Sequence, residues 1–185
     1  MTIERGANWG EVVEHKVNDT PASPDLLREL GNADENGHVG PWLRLPLDVI
    51  EIVAVDSRGR RHERSTISWM TIGRWFRGNH AIVSSTSFVA GRRIFSRAHP
   101  NDGRLDWLVI ETGMTLRQRI DFRRRTRTES HVPHPFVTVG TGSQYHRAFS
   151  RPVVIRFEHG APLPGIVEVT ATVRPDAAAT HIPAR

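Results

Sequence analysis

Arg97-Ala98-His99-Pro100-Asn101-Asp102-Gly103-Arg104-Leu105-Asp106-Trp107-Leu108-Val109-Ile110-Glu111 is the stretch whose reading decides the fold. Pro100, Asn101, Asp102 and Gly103 all favour tight turns: proline presets φ, glycine supplies φ > 0, and Asn and Asp bond their own backbone. Leu105 to Ile110 is a largely apolar run of strand length, the pattern of a buried strand. The stretch is a turn that feeds an interior strand. Asp102 in such a turn ordinarily caps it; a carboxylate beside free backbone carbonyls is also a seat for a hard cation.

Upstream, Leu47, Val49, Glu51, Val53 and Val55 alternate with Asp48, Ile50, Ile52 and Ala54, so both faces are mostly apolar and the strand is expected to lie inside a sheet. Asp56-Ser57-Arg58-Gly59 is a turn, and the next strand is expected through about His62 to Ile72. Trp75 to Asn79 breaks it. Ala81-Ile82-Val83, Ser87-Phe88-Val89 and Arg92 to Phe95 are further short extended pieces. Trp42, Trp69, Trp75, Trp107 and Phe88 are expected in the core, given the area each buries.

Downstream, Thr115 to Arg127 is a helix, with Thr115 as its cap and Leu116 and Ile120 on one face. Phe136 to Val139, Tyr145 to Phe149, Val153 to Phe157 and Ile166 to Val173 are strands, and Pro175 to Arg185 is a loose tail. Near the start, Ser23 (N-cap), Pro24 (N1), Asp25 and Gly31 mark a short helix over 23–31. Asn32 to Pro41 is a polar loop. Many short strands and few helices point to a β-rich sandwich.

The chain has 185 residues, enough for one domain with a real core. It has no cysteine, which excludes disulfides, thiolate catalysis and Cys-based zinc sites and fits a cytoplasmic setting. No apolar run approaches a bilayer span, and Met1 to Gly10 lacks the pattern of a signal peptide. The net charge of +5 is carried by arginine, since Lys16 is the only lysine. Such a charge invites an anionic-lipid reading or a nucleic-acid reading. Arg117, Arg123 and Arg124 belong to an arginine-rich helix and are the candidate phosphate-binding residues; the alternative is a solvated face. Aromatics are not interleaved with them, so nucleic acid is the lesser reading.

No Walker loop is present, and Gly-Gly occurs nowhere, so no ATP site is visible. Gly140-Thr141-Gly142 reads as a strand-end turn rather than a phosphate cradle. His131-Val132-Pro133-His134 lacks a third metal ligand at a suitable spacing and reads as a loop.

Arg-Ala-His followed by Pro-Asn-Asp-Gly-Arg-Leu-Asp over residues 97–106 resembles the Asp-Gly-x-Leu-Asp turn of the diacylglycerol kinases, and more closely the C-terminal domain of bacterial lipid kinases. His131 to Pro135, Arg151-Pro152 and Arg174 to Ala177 follow in the right order. The resemblance covers roughly Leu47 to the C-terminus and implies a mainly β fold. That fold is a β-sandwich like the C-terminal domain of lipid and NAD kinases, with one or two short helices. Residues 1–46 would be an N-terminal extension, 47–175 the sandwich and 176–185 the tail.

In that family a magnesium ion sits at the turn. Carried over, Asp102 would give a carboxylate, with carbonyls from His99 and Arg104. The family's catalytic Asp falls at His159, in Glu158-His159-Gly160-Ala161-Pro162. The family's ATP-binding half has no counterpart. The resemblance therefore implies a module that is non-catalytic alone. It would bind a lipid or phosphate-bearing ligand, or complete a kinase with a partner ATP-binding chain. A homodimer would also cover the surface the missing half leaves. The alternatives are an active enzyme with His159 as base, which is an acceptable residue for that role, and a basic nucleic-acid-binding protein.

Overall fold

The strands follow from β-branched and apolar residues recurring with period two, which places alternate side chains on opposite faces of a sheet. The computed structural model describes residues 4–5, 24–29, 42–128 and 132–183. Ser23, Gly31, the Asn32–Pro41 loop and His131 lie outside them, with the expectations placed on them. In chain order the elements are β1 (Glu4–Arg5), α1 (Pro24–Glu29), β2 (Trp42–Asp56), β3 (Arg61–Thr66), β4 (Trp69–Arg74), β5 (Arg77–Ser84) and β6 (Phe88–Val89). They continue with β7 (Arg92–Arg93), β8 (Leu105–Ile110), α2 (Leu116–Arg125), β9 (Val137–Gly142), β10 (Gln144–Phe157) and β11 (Leu163–Pro183). The fold is mainly β, as the sequence leads one to expect.

One antiparallel sheet runs β1-β2-β11-β10-β4-β5-β8-β9, with β3 also paired to β2; β6 and β7 form a separate ribbon. The sheet folds over on itself. Ile50, Ile52 and Ala54 of β2 and Val169, Ala171 and Val173 of β11 share one buried cluster with Met70, Ile72, Ala81, Val83, Leu105 and Val109 from the other end of the sheet. Trp107 of β8 meets Tyr145 of β10 at 5.7 Å between rings. β10 belongs to both layers: its first half pairs with β11, and Ile155 pairs with both Leu163 and Ile72.

The second face of β4, β5 and β8 carries another cluster. Ile82, Leu108 and Ile110 pack there on Phe122 of α2 and on Val89, Ile94, Phe95 and Ala98 from the intervening ribbon and loop. Residues 105 and 109 face one core and 108 and 110 the other, so the apolar run of β8 is explained by burial on both faces.

Four expectations are corrected. The strand expected over His62 to Ile72 is two strands, because β3 pairs with β2 while β4 pairs with β5 and β10; the chain changes layers at Ile67 and Ser68. The expected tail is strand: after an irregularity between Arg174 and Ala178, Ala178 to Pro183 pair with Leu47 to Trp42. Its alanines carry no strand signal of their own; pairing with β2 holds them. The apolar face of α2 is not Leu116 and Ile120, which are exposed; Arg119 and Phe122 are its buried residues. Gly140 and Gly142 lie within β9, not in a turn, and a side chain at 140 would collide with the Trp107 ring at 2.6 Å.

Thr115 does cap α2, with Gln118 completing a reciprocal capping box. Asp25, beyond favouring the start of α1, is buried: its carboxylate accepts from the Trp69 indole at 3.1 Å and from the Gly91 amide at 2.8 Å. It pins α1 to β4 and to the β6–β7 ribbon.

Candidate functional site: an arginine-rimmed apolar cleft

The β4–β5 hairpin is bent by an irregularity between Gly73 and Arg74. Gly73 has φ +80°, and a Cβ there would lie 2.3 Å from the Asn79 carbonyl oxygen, so only glycine fits this bend. Beside the hairpin stands α2, and one side chain holds the two together. Arg119 is fully buried and donates to the carbonyls of Met114 (3.1 Å), Trp75 (2.8 Å), Gly78 (2.5 Å) and Glu111 (3.1 Å). Its cation meets four carbonyl dipoles and no carboxylate of the described residues. Burial depresses its pKa, though from a starting value that keeps it charged.

Between the hairpin, α2 and the β6–β7 ribbon lies a cleft of about 530 Å³. Trp75, Phe76, Ile82, Val89, Ile94 and Phe122 supply its apolar wall, and Arg74, Arg92, Arg123 and Arg156 its charged groups. No Asp or Glu lines it. Arg92 donates to the Arg123 carbonyl at 2.7 Å and to the Thr126 hydroxyl at 3.1 Å, which fixes it against the end of α2. Its pKa is lowered by burial and then by the charges of Arg123 and Arg127. Arg156 donates to the Gly73 carbonyl at 3.3 Å. Among the described residues none of the four rim arginines forms an ion pair with a carboxylate, so no described acid compensates their charge.

His80 also lines the cleft. It is 6% exposed, packs edge-on against Trp75 at 5.5 Å, and its Nδ1 has no partner among the described residues. Burial first, then the charges of Arg119 and Arg156, lower its pKa to about 4 against the pull of hydrogen bonds to Ile72 and Gly73. At neutral pH it is an uncharged imidazole.

Of the expected phosphate-binding arginines, Arg123 alone reaches the cleft. Arg117 points to solvent, and Arg124, 75% exposed, pairs with Asp121 at 3.6 Å. Arg74, Arg92 and Arg156 were not singled out by sequence reasoning. They come from β4, β7 and β10, and nothing in their local sequence announces that they converge.

The Asp102 turn forms as expected. Asp102 accepts from the Arg104 amide at 2.9 Å, and its own amide reaches the His99 carbonyl at 3.4 Å. The missed residue is Asp48. It is fully buried beneath the turn, and its two oxygens accept from the Gly103 amide at 2.7 Å and the Asp176 amide at 3.1 Å. Burial raises its pKa, with Asp102 and Asp176 adding to that, while the two amides oppose. No group of three His, Asp or Glu among the described residues is placed to hold a metal. A cation here would therefore rest on the exposed Asp102 carboxylate and on carbonyls such as those of His99 and Arg104.

His159 stands exposed in the bend after β10. Glu158 does not orient it: its carboxylate accepts the Ser68 hydroxyl, and its amide reaches the Trp69 carbonyl at 3.4 Å. His134 is structural. Its Nδ1 accepts the Phe136 amide at 3.2 Å, and its ring lies 6.2 Å from that of Phe122.

No family described by a sequence model matches the chain, and no curated protein does. Among solved structures it is similar to two assigned as a diacylglycerol kinase from Bacillus anthracis, each with a TM-score of 0.43 and 9% identity. They cover 73% and 71% of this chain, which covers 40% and 38% of theirs. A third, also of a diacylglycerol kinase from Bacillus anthracis, has a TM-score of 0.40 and 8% identity, with 74% of this chain and 53% of that one covered. The chain thus spans about two-fifths to one-half of the length of these structures. No helix of the described residues is long and apolar enough to cross a membrane.

Proposed function

We propose that this domain is a binding module for an amphiphile with an anionic, phosphate-bearing head, and that it does no chemistry by itself. The observation that carries the reading is the cleft between α2 and the β4–β5 hairpin. Four arginines, with no carboxylate among the described lining residues, stand over an apolar wall. Guanidinium forks match phosphate oxygens bidentately, and the wall suits acyl chains. In a longer assembly the same cleft would present a lipid acceptor to a nucleotide-binding half on another chain. A magnesium ion at Asp102 would then serve as a brace for the turn rather than as a reactant. We place this activity in the cytoplasm.

The test is titration of the protein with dioctanoyl phosphatidate, followed by tryptophan fluorescence, since Trp75 lines the cleft. Saturable quenching is expected, with dioctanoylglycerol binding much more weakly. Arg74→Gln with Arg156→Gln should weaken the phosphatidate by roughly tenfold or more, because each charge-assisted bond is worth about 1.5–3 kcal/mol. Equal affinity for the two lipids, or none for either, would remove the reading. Magnesium titrated alone by calorimetry, against Asp102→Asn, tests the brace.

A further inference from the structure

Exposed large apolar side chains are scarce among the described residues; two of them lie on α2, whose Phe122 and Arg123 line the cleft, and a third, Phe76, lines the cleft itself. Leu116 and Ile120 of α2 are 55% and 45% exposed, and Phe76 at the tip of the β4–β5 hairpin is 54% exposed. Arg119 fastens the tip that carries Phe76 to α2, through its bonds to the Trp75 and Gly78 carbonyls on either side of Phe76 in sequence. Leu116, Ile120 and Arg123 recur at i, i+4 and i+7, so they form one stripe along the helix. Arg123 lines the cleft, so the stripe leads to it.

The surroundings are strongly cationic. α2 and the turn after it carry Arg117, Arg123, Arg124, Arg125 and Arg127 against a single acid, Asp121, which is paired with Arg124. Arg74 and Arg92 add to the charge at the cleft. A short helix with an exposed apolar ridge and a dense basic flank has the character of an interfacial element.

We propose that α2 and the hairpin tip dock this domain on the surface of an anionic bilayer, with Phe76, Leu116 and Ile120 seated at the headgroup boundary. Charge selects the occupant. A second copy of the chain would bring the same positive face and be repelled. A nucleic acid would use the arginines but leave Leu116 and Ile120, which have no π face, without a role. Anionic lipid uses both: the headgroups meet the arginines and the acyl boundary meets the ridge. The proposal rests on the cleft reading in one respect, that the ligand enters the cleft from the bilayer. The docking residues themselves are separate from the cleft wall apart from Phe76.

The experiment is co-sedimentation with vesicles of phosphatidylcholine, alone or mixed with phosphatidylglycerol. Wild type should pellet with the mixed vesicles and not with the neutral ones, and raising the salt from about 0.1 to about 0.5 M should release it. Leu116→Gln with Ile120→Gln should lower pelleting at least tenfold. Both side chains are exposed, so the variant should keep its thermal midpoint and should still bind monomeric dihexanoyl phosphatidate. Loss of dihexanoyl phosphatidate binding in wild type with pelleting retained would remove the cleft reading and leave the docking surface standing. Pelleting that is absent, indifferent to vesicle charge, or unchanged in the double variant overturns the proposal. Displacement from vesicles by single-stranded RNA whose binding ignores Leu116 and Ile120 overturns it in favour of nucleic acid.

Discussion

The guanidinium of Arg119 donates to the carbonyl of Trp75 across 2.8 Å, joining the middle of α2 to the β4–β5 hairpin. With its three other carbonyl partners it determines how far the helix stands from the sheet, and so how wide the cleft is. A buried arginine that meets only carbonyls is a fastener. Arg119→Leu would leave those four carbonyls without their donor, and Arg119→Lys offers a smaller head that cannot reach them all. Leaving buried acceptors unpaired costs about 1–3 kcal/mol each, though such costs are not additive. Urea denaturation should show Arg119→Leu destabilised by about 3 kcal/mol or more, with Arg119→Lys recovering only part. A loss under about 1 kcal/mol would mean that water replaces the arginine.

His80 should make the protein acid-sensitive in a definite window. Its folded pKa of about 4 lies below the ordinary value near 6.5. The unfolded chain therefore binds the proton first, and stability contributed by the neutral ring is present at pH 7 and lost as the pH falls from about 6.5 to about 4. The full linkage corresponds to about 3 kcal/mol. Asp48 and Asp106 have raised pKa values, chiefly from burial, and work in the opposite direction as they protonate. Asp56 loses its contribution only below the usual carboxylate range. Burial pushes its pKa up, but bonds from Arg60, His62 and Arg58 outweigh that and hold it low. The clean measurement is the difference in thermal midpoint between wild type and His80→Gln, followed from pH 7 to pH 4.5. The difference should shrink or reverse on acidification; parallel curves would show that His80 is not the titrating group.

Gly140 is opposite Trp107 in the β8–β9 register, and the indole occupies the space a side chain would need. Gly140→Ala should displace the ring from its contact with Tyr145 and cost about 1–3 kcal/mol, the usual penalty for overpacking. Near-ultraviolet circular dichroism should show the change in the Trp107 environment.

Asp48→Asn tests the support under the Asp102 turn. An amide can accept one of the two N–H donors, and its NH2 then faces the other. A loss of about 1–3 kcal/mol is expected for the unsatisfied donor, together with faster hydrogen exchange at Gly103 and Asp176. Unchanged exchange at both amides would show that the turn stands without this carboxylate.

Much of the fold was legible because its signals are local. Val167 to Val173 alternates cleanly, Leu105 to Ile110 is apolar on both faces, and Thr115 announces the start of α2. What was not legible depends on partners distant in sequence. Arg119 looks like any arginine of a charged helix until the carbonyls that surround it are in place. Leu116 and Ile120 look like a core stripe, and the hairpin and ribbon decide that α2 turns Phe122 inward instead. Ala178 to Pro183 has only Thr180 and Ile182 as strand formers, and its pairing with β2 holds it as strand. The cleft is least legible of all, since its arginines are contributed by three strands and a helix. Of that site, Arg123 alone was visible in advance, through the arginine density of α2.

The pairing of β2 with β11 has a consequence for how the chain is made. Asp48 and Asp176, joined by a hydrogen bond, are 128 positions apart. Closing so large a loop costs entropy before any contact repays it, and folds dominated by such pairings form slowly. On the ribosome the apolar β2 emerges well before its long partner β11. Until residues 163–183 are synthesised, β2 has, among the described residues, only β3 and the short β1 as strand neighbours, and one hydrogen-bonding edge stands open. The nascent chain should therefore be prone to aggregation and should engage holding chaperones until β11 is complete.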